Sequence, residues 1–493
     1  MRLVGDAALL EVLFGFNPWW RTGVVPPESA RPVRRFAFFE AWRIMKHPSL
    51  RRTVVLSGPR RVGKTTILYQ MIAALLQAGT PPQAVLYASL DHPLLKLGGL
   101  GRIMDVYRQT TAPEAPELYV FLDEVQYAEE WDRWIKTFYD QNPHLHTVAT
   151  GSASPVLALK ASESGVGRWT TVRVPTLSFY EYLALTGADR PEVNGPVGPQ
   201  DLVRRQAVDL VRLVHRLSPL QRAFNRYLLL GGFPEIALAD DLAFGQRLMR
   251  EDIVDKVLKR DLTALFGVRN VNDLEKLFLY LCLNSGGILS LETVSRDLGV
   301  SRPTVQNYLN LLELGNLIYL SHPAEISGKK ALRSRPKAYL ADAALRNAVL
   351  LRGEEVLSDP GELGLLVETA VYKHFAQYYQ AALPRLGYYR DSRTGKELDV
   401  VVALPGGHLL AEVKYREGPA LGPKDALVEL AGAPDCLGAF LLTKRPEDTG
   451  FLTAGGKKAI LKIPAFAFLY LLGQAQQNLA EGIREASPEE GQH

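Results

Sequence analysis

Gly58-Pro59-Arg60-Arg61-Val62-Gly63-Lys64-Thr65-Thr66 decides how this chain is read. The stretch satisfies the phosphate-loop pattern G-x-x-x-x-G-K-[ST] at Gly58, Gly63, Lys64 and Thr65. Its flanks supply the context: RTVVLS, 52–57, reads as a short buried strand, and KTTILYQMIAALLQ, 64–77, has the apolar spacing of a helix. The loop therefore joins a strand to a helix N-terminus, where backbone N–H groups point at an anion. Two glycines let the main chain wrap a β-phosphate, Lys64 reaches the β- and γ-phosphates, and the Thr65 hydroxyl ligates Mg²⁺. ATP and Mg²⁺ are the expected ligands, and all nine residues form the nucleotide-binding segment. A Gly-rich turn without a ligand is the competing reading, and the strand-loop-helix setting disfavours it.

Working outward, the chain alternates short apolar strands with helices, the strands falling at 54–56, 84–90, 118–122, 147–150 and 171–175. That alternation predicts a parallel sheet covered by helices, an α/β fold. The strand Leu118–Leu122 runs straight into Asp123-Glu124, and buried strands of this kind deliver carboxylates to the sheet edge where ligands bind. Asp123 is expected to hold Mg²⁺ through water and Glu124 to polarise the attacking water. Thr150, at the end of the next strand, puts a hydroxyl beside the γ-phosphate or caps a turn. Arg168, after Gly165-Val166-Gly167, is an arginine-finger candidate against the plainer reading of a surface arginine.

Length and composition set bounds. At 493 residues the chain is too long for one core and suggests about three domains. A formal net charge of +4, from 57 Lys and Arg against 53 Asp and Glu, permits nucleic-acid binding only through a local basic patch. Two cysteines, Cys282 and Cys436, both in apolar surroundings, argue against a disulfide framework and fit a reducing cytoplasm. No apolar run reaches the ~18 residues of a membrane span, and no signal peptide is expected. The longest apolar stretch, 464–472, reads as core. Asn17-Pro18-Trp19-Trp20 and the Pro-rich crossing 24–32 form a leader that either covers a nucleotide base or uses its tryptophans as packing anchors.

Further along, 201–226 is a helical region carrying six arginines, more often a solvated face than a binding surface. Residues 273–321 read as a winged helix-turn-helix: Ser290 caps one helix, Gly299 makes the turn, and Ser301 caps a second with Pro303 in its first turn. Val305, Tyr308, Leu309 and Leu312 form the apolar face of that second helix. Arg302, Gln306 and Asn310 form its polar face, competent to touch bases or phosphates of DNA. A lid or subunit contact is the other use of such a helix.

GPRRVGKTT, FLDEVQ, ATGSAS, GVGRW and Pro175-Thr176-Leu177-Ser178-Phe179-Tyr180-Glu181 together resemble the archaeal-type AAA+ ATPases, with their relatives among signalling (STAND-like) ATPases. The resemblance runs from about residue 17 to 413. It extends to Gly231-Gly232-Phe233-Pro234-Glu235, which implies a helical lid with Pro234 near the nucleotide; a plain helix break explains Gly-Phe-Pro equally. It also implies a C-terminal domain similar to the restriction endonucleases, marked by Glu368, Asp399, Glu412 and Lys414. If Pro405-Gly406 is a two-residue hairpin turn, positions 399 and 412 fall opposite each other; a loop longer by two sets Asp399 against Lys414. Asp399, Glu412 and Glu368 would then share Mg²⁺ or Mn²⁺, with Lys414 orienting the nucleophile. The alternative is a fold relic in which Glu412 and Lys414 merely pair.

The expected organisation is a leader, 1–50; a P-loop ATPase core, 51–178; a helical lid, 179–265; a winged helix, 266–337; a restriction-endonuclease-like α/β domain, 338–475; and a polar tail, 476–493. The function expected is ATP hydrolysis coupled to action on DNA, branched or single-stranded forms included, with a metal-dependent nuclease at the C-terminus and assembly into a homo-oligomeric ring. A nucleotide-switched binding protein with an inactive nuclease-like domain is the rival. A protein-remodelling ATPase is disfavoured, because no aromatic-Val-Gly threading loop is evident between the first strands.

Overall fold

The computed structural model describes residues 4–111, 116–151, 167–268, 270–324, 335–380, 385–391, 393–454 and 458–482. Ser152 of the ATGSAS motif, Gly165-Val166 and the tail beyond 482 lie outside the described residues. The chain divides into two compact units, 1–175 and 176–493.

In the first unit, four short, largely buried apolar runs make β1 (Thr53–Ser57), β2 (Val85–Ser89), β3 (Leu118–Asp123) and β4 (Leu145–Gly151), and the partly exposed run Trp169–Arg173, with only Val172 buried, adds β5. They form one parallel sheet in the order β2-β3-β4-β1-β5. Strands buried on both faces need no polar alternation, which is why β1 to β3 read as nearly continuous apolar runs while the edge strand β5 does not. Because β4 is inserted between β1 and β3, the ends of three neighbouring strands present the phosphate loop, Thr150 and Asp123 in a row.

The edge strand β2 would expose unpaired N–H and C=O groups, and the leader covers them. Buried Asn17 takes the Tyr87 N–H on its Oδ1 (2.7 Å) and donates its Nδ2 to the Tyr87 carbonyl (2.8 Å), so one side-chain amide stands in for a neighbouring strand. The indole N–H groups of Trp19 and Trp20 both donate to the Val85 carbonyl, at 3.0 and 2.9 Å. Of the two uses expected of these tryptophans, the bonds are those of packing anchors at the start of the edge strand, three strands from β1. Asn17→Leu is expected to leave two buried backbone groups unpaired, at about 1–3 kcal/mol each. A denaturant midpoint within error of the unaltered protein would refute that reading of Asn17.

The second unit begins with helices, among them Phe179–Thr186, Ala207–Leu217 and Gln221–Leu230. Helices Val271–Leu283, Leu291–Leu298 and Arg302–Leu314 come after these, the last two capped by Ser290 and Ser301 and separated by Gly299 in the left-handed region (φ 71°). Next come β6 (Ile318–Pro323) and β7 (Lys337–Leu340), an antiparallel pair. This pair is continuous with the C-terminal strands: β6 pairs with β8 (Arg385–Arg390), joining β9 (Glu397–Leu404), β10 (Gly407–Val413), β11 (Cys436–Thr443), β12 (Gly450–Ala454) and β13 (Lys458–Pro464). The result is one mixed sheet in the order β12-β13-β11-β10-β9-β8-β6-β7. A boundary at 337/338 therefore cuts the start of β7.

The stretch 464–472 is the beginning of helix Ala465–Glu481, buried all round from Ala465 to Ala475 beside helix Pro360–Tyr378 in the main core. Both cysteines are free and buried. Among the described residues no helix is long and apolar enough to cross a membrane.

Candidate functional site

The phosphate loop leaves β1 at Ser57 and enters helix Lys64–Gln77 through Gly63, whose φ of 91° is left-handed and suits glycine. Gly58 is required for a different reason: a Cβ there would lie 2.1 Å from the Val174 carbonyl, because Val174 donates its N–H to Ser57 O (2.7 Å) and closes the strand end against the loop. The Lys64 ammonium is buried inside the loop's curve and donates to Gly58 O (3.0 Å) and Pro59 O (2.8 Å). Arg60 reaches Tyr127 OH (2.8 Å), Arg61 is exposed with φ 60°, Val62 is fully buried and Thr66 half-buried. The loop's turn, its helix terminus and its lysine fit a polyphosphate.

Asp123, at the end of β3, is buried, and three hydroxyls converge on its carboxylate. Thr65 donates to Oδ2 at 2.7 Å, Tyr87 to the same oxygen at 2.9 Å, and Thr150 to Oδ1. Burial, then the neighbouring Glu124 charge, raises the Asp123 pKa, while the three hydroxyls pull it down. Such a carboxylate beside the Thr65 hydroxyl is a chemically suitable seat for a divalent cation. Glu124 has a left-handed backbone (φ 53°), its N–H donates to Thr150 Oγ1 (3.1 Å), and its carboxylate accepts from Gln126. Thr150 thus holds the two acidic residues in one frame, bonded to the side chain of one and the backbone of the other.

Arg168 does not belong to this cluster. Its carbonyl accepts the Thr53 N–H, so it stands where β1 begins, whereas Gly58 comes where β1 ends, about 16 Å away at ~3.3 Å per residue. It pairs there with Asp140 at 2.9 Å. In a parallel sheet the loop before a strand lies at the edge opposite the ligand edge, which is the physical reason the glycine-loop argument failed. The arginine at the ligand end of β5 is Arg173, opposite Ser57. A second missed residue is Arg35 of the leader, whose buried guanidinium donates to the Val62 carbonyl (2.8 Å). Counting from strand ends would have found Arg173; nothing local marks Arg35 among its neighbouring arginines.

Pro234 lies in the second unit, at the first position of helix Pro234–Ala237. The glycines before it are required by close packing: Gly231 has φ 77°, and a Cβ on Gly232 would lie 2.5 Å from Leu177 O. Leu177 donates its N–H to Gly232 O (2.6 Å), and Gly232 donates its own to Asp342 Oδ2 (3.0 Å). Lys373, wholly buried, donates to Asp342 Oδ2 (2.8 Å), Leu177 O (3.0 Å) and Tyr227 OH (2.7 Å). Next to it, His374 accepts the Phe179 N–H at Nε2 (2.9 Å); burial, reinforced by the Lys373 charge, pushes its pKa down to about 3 and keeps the ring neutral. The box is the hub of a buried polar network.

On helix Arg302–Leu314, Arg302, Gln306 and Asn310 are exposed. Arg302 pairs with Glu292 of the preceding helix (2.7 Å), and Gln306 donates to Asn310 one turn on (3.1 Å).

The C-terminal carboxylates do come together. The hairpin register, Gly407↔Leu404 to Ala411↔Val400, is that of the two-residue turn, and the next step of the same register would set Glu412 opposite Asp399. Glu368, on helix Pro360–Tyr378, joins them, but so does a cation that the motif did not include. Lys337, at the start of β7, has its ammonium 2.5 Å from Glu397, 3.6 Å from Asp399 and 3.7 Å from Glu368. Lys414 instead pairs with Asp425 at 3.2 Å. Burial and the Asp399 charge push Glu412 up to about 8 and Glu368 up to about 7. Burial alone would lower Lys337; its three carboxylate neighbours outweigh it and push it up to about 12. Among the described residues no group of three or more His, Cys, Asp or Glu side chains is arranged to hold a metal ion. Lys337 escaped notice because it lies 31 residues before Glu368 and 62 before Asp399.

Comparison with known proteins gives three family matches: an AAA domain at residues 50–183, a domain of unknown function (DUF8612) at 221–355 and another (DUF4143) at 363–463. An uncharacterized protein of Haemophilus influenzae is 26% identical over 298 residues, covering 59% of this chain and 68% of its own length. An uncharacterized protein of Methanocaldococcus jannaschii is 26% identical over 297 residues, covering 58% of this chain and 60% of its own. Among solved structures, the Aeropyrum pernix ORC1 protein in complex with DNA aligns at 13% identity over 66% of this chain and 93% of its own, TM-score 0.28. Hsp104 with ATPγS and casein aligns at 14% identity over 56% and 50%, TM-score 0.29. The chain is α/β, and its first unit carries an AAA domain with the parallel five-stranded fold of the AAA-type ATPases.

Proposed function

We propose that the first unit binds and hydrolyses ATP with Mg²⁺, and that the protein acts on DNA in the reducing interior of the cell, as a homo-oligomeric ring. The observation that carries the ATPase reading is the 2.7 Å hydrogen bond between Thr65 and Asp123, which ties the phosphate loop to the strand-end carboxylate. In this reading the loop amides and Lys64 hold the β- and γ-phosphates, Thr65 and Asp123 hold the cation, and Glu124 orients water in line with the γ-phosphate. A Mg²⁺ held by Thr65 and Asp123 would supply positive charge against the charge that develops on the phosphates. Thr150 serves as the sensor, because it touches both acidic residues.

DNA binding is assigned to a winged helix formed by 271–323 and β7, with Arg302, Gln306 and Asn310 facing the groove; three exposed polar side chains on one helix support it. ATP turnover is measured with and without duplex, single-stranded and branched DNA, alongside binding by fluorescence anisotropy. Arg302→Ala should weaken DNA binding and flatten its salt dependence by roughly one unit of slope. Equal affinity and slope would return this helix to a lid or subunit contact.

Metal-dependent cleavage at Asp399, Glu412, Glu368 and Lys414 is the rival reading, and it requires a divalent ion to enter beside the Lys337 ammonium. One observation favours it: Glu412 Oε2 is buried with no hydrogen-bond partner. Nicking assays on the same DNA set, with Mg²⁺ and Mn²⁺, decide it; loss of nicking in Asp399→Asn would support it, and intact DNA throughout would remove it.

A further inference from the structure

Most of the charge of the C-terminal carboxylate cluster is met from within, Glu412 Oε2 being its one buried oxygen without a hydrogen-bond partner among the described residues. Asp399 has both oxygens committed: Oδ2 accepts the Val413 N–H (2.9 Å) and Oδ1 faces the Lys337 ammonium. Glu368 Oε1 accepts from Tyr339 OH (2.7 Å) and also faces Lys337. Lys337 and Tyr339 are two apart on β7, hence on the same face of the strand, so one short strand delivers both donors to the cluster. The lysine side chain is 3% exposed and its ammonium lies 5.3 Å over the Tyr388 ring, which shields it from water on a further side. A divalent ion entering here needs several carboxylate oxygens at about 2–2.5 Å; both Asp399 oxygens and Glu368 Oε1 already face protein donors, and an ammonium within 4 Å of both side chains repels a second cation. The side chains present do not fit a resident metal.

We propose that Lys337 is the built-in cation of this cluster: its ammonium occupies the place of a divalent ion, so that the C-terminal domain is held together without metal and takes none up. The balance of charge supports the assignment. Removing this single buried ammonium from the three carboxylates it faces leaves buried negative charge without its counter-ion, which a divalent cation can then enter.

Manganese counting by electron paramagnetic resonance tests this on the full chain. The unaltered protein should hold no tightly bound Mn²⁺ without nucleotide and one equivalent with ATP, belonging to the phosphate loop. Lys337→Met, which keeps the length of the side chain, should gain one nucleotide-independent site, and adding Asp399→Asn should remove it. The nucleotide-free measurement reads the cluster alone, so a failed ATPase reading would appear separately, as a missing ATP-dependent ion. Tight Mn²⁺ in the nucleotide-free unaltered protein that disappears in Asp399→Asn would overturn the proposal. So would a folded Lys337→Met that still takes no ion. Because the first of these outcomes needs no lysine variant, a Lys337→Met that fails to fold leaves the proposal open to refutation.

Discussion

Glu124→Gln is expected to bind ATP as the unaltered protein does while turning it over about 10²- to 10⁴-fold more slowly, the range a positioned general base contributes. The expectation comes from how Glu124 is held. Its backbone amide is tied to Thr150, whose hydroxyl also bonds Asp123, so the residue's position depends on a frame that glutamine leaves intact. The side chain has Gln126 as a hydrogen-bond partner, and an amide can keep such a contact. What is lost is the capacity to draw a proton from water. Lys64→Ala, in contrast, should lose binding and turnover together, because its ammonium is the buried charge inside the loop. Nucleotide affinity by calorimetry and single-turnover hydrolysis separate the two classes. A Glu124→Gln protein that hydrolyses at the original rate would falsify the assignment of the base, and the search would move to the neighbouring residues of the same strand end.

The second large effect is on stability. Lys373→Met should destabilise the second unit by about 3–5 kcal/mol, the usual consequence of removing one partner from a buried ion pair. Asp342 would keep the N–H groups of Gly232 and Ala344 but lose its only salt-bridge partner among the described residues. Leu177 O would lose one of its donors and Tyr227 OH its ammonium. Combining Lys373→Met with Asp342→Asn should recover part of the loss, because the orphaned charge is gone while an acceptor for Gly232 remains. Denaturant unfolding gives the magnitude, and hydrogen exchange at Gly232 and Phe179 gives the location. A loss under about 1 kcal/mol, with both amides still protected, would mean that Lys373 is accommodated rather than required.

How much of the molecule was legible in its sequence depends on the distance over which each feature is encoded. The phosphate loop, the strand ending in Asp123-Glu124 and the caps at Ser290 and Ser301 are local: a few adjacent residues contain the turn geometry, the apolar run and the donor that satisfies a helix end. The β9–β10 register was readable only as a choice between turn lengths, each of which sets every later pair, and the structure selects the two-residue turn. Arg168 was misplaced although it is local, because its value depends on which edge of the sheet it reaches, and that is decided by the parallel direction of β5 beside β1. Asn17 completing the hydrogen bonds of β2, Lys373 against Asp342, and Lys337 among three carboxylates were not readable. Each joins residues tens of positions apart whose types are ordinary for their own segments, and only burial turns an ordinary amide or ammonium into a group that must find a partner. The sequence by itself therefore determined the nucleotide loop, its carboxylates and the order of elements, where the physics is short-range. The tertiary structure alone decided which charges meet in the interior, because that depends on which distant strands and helices come together once water is excluded.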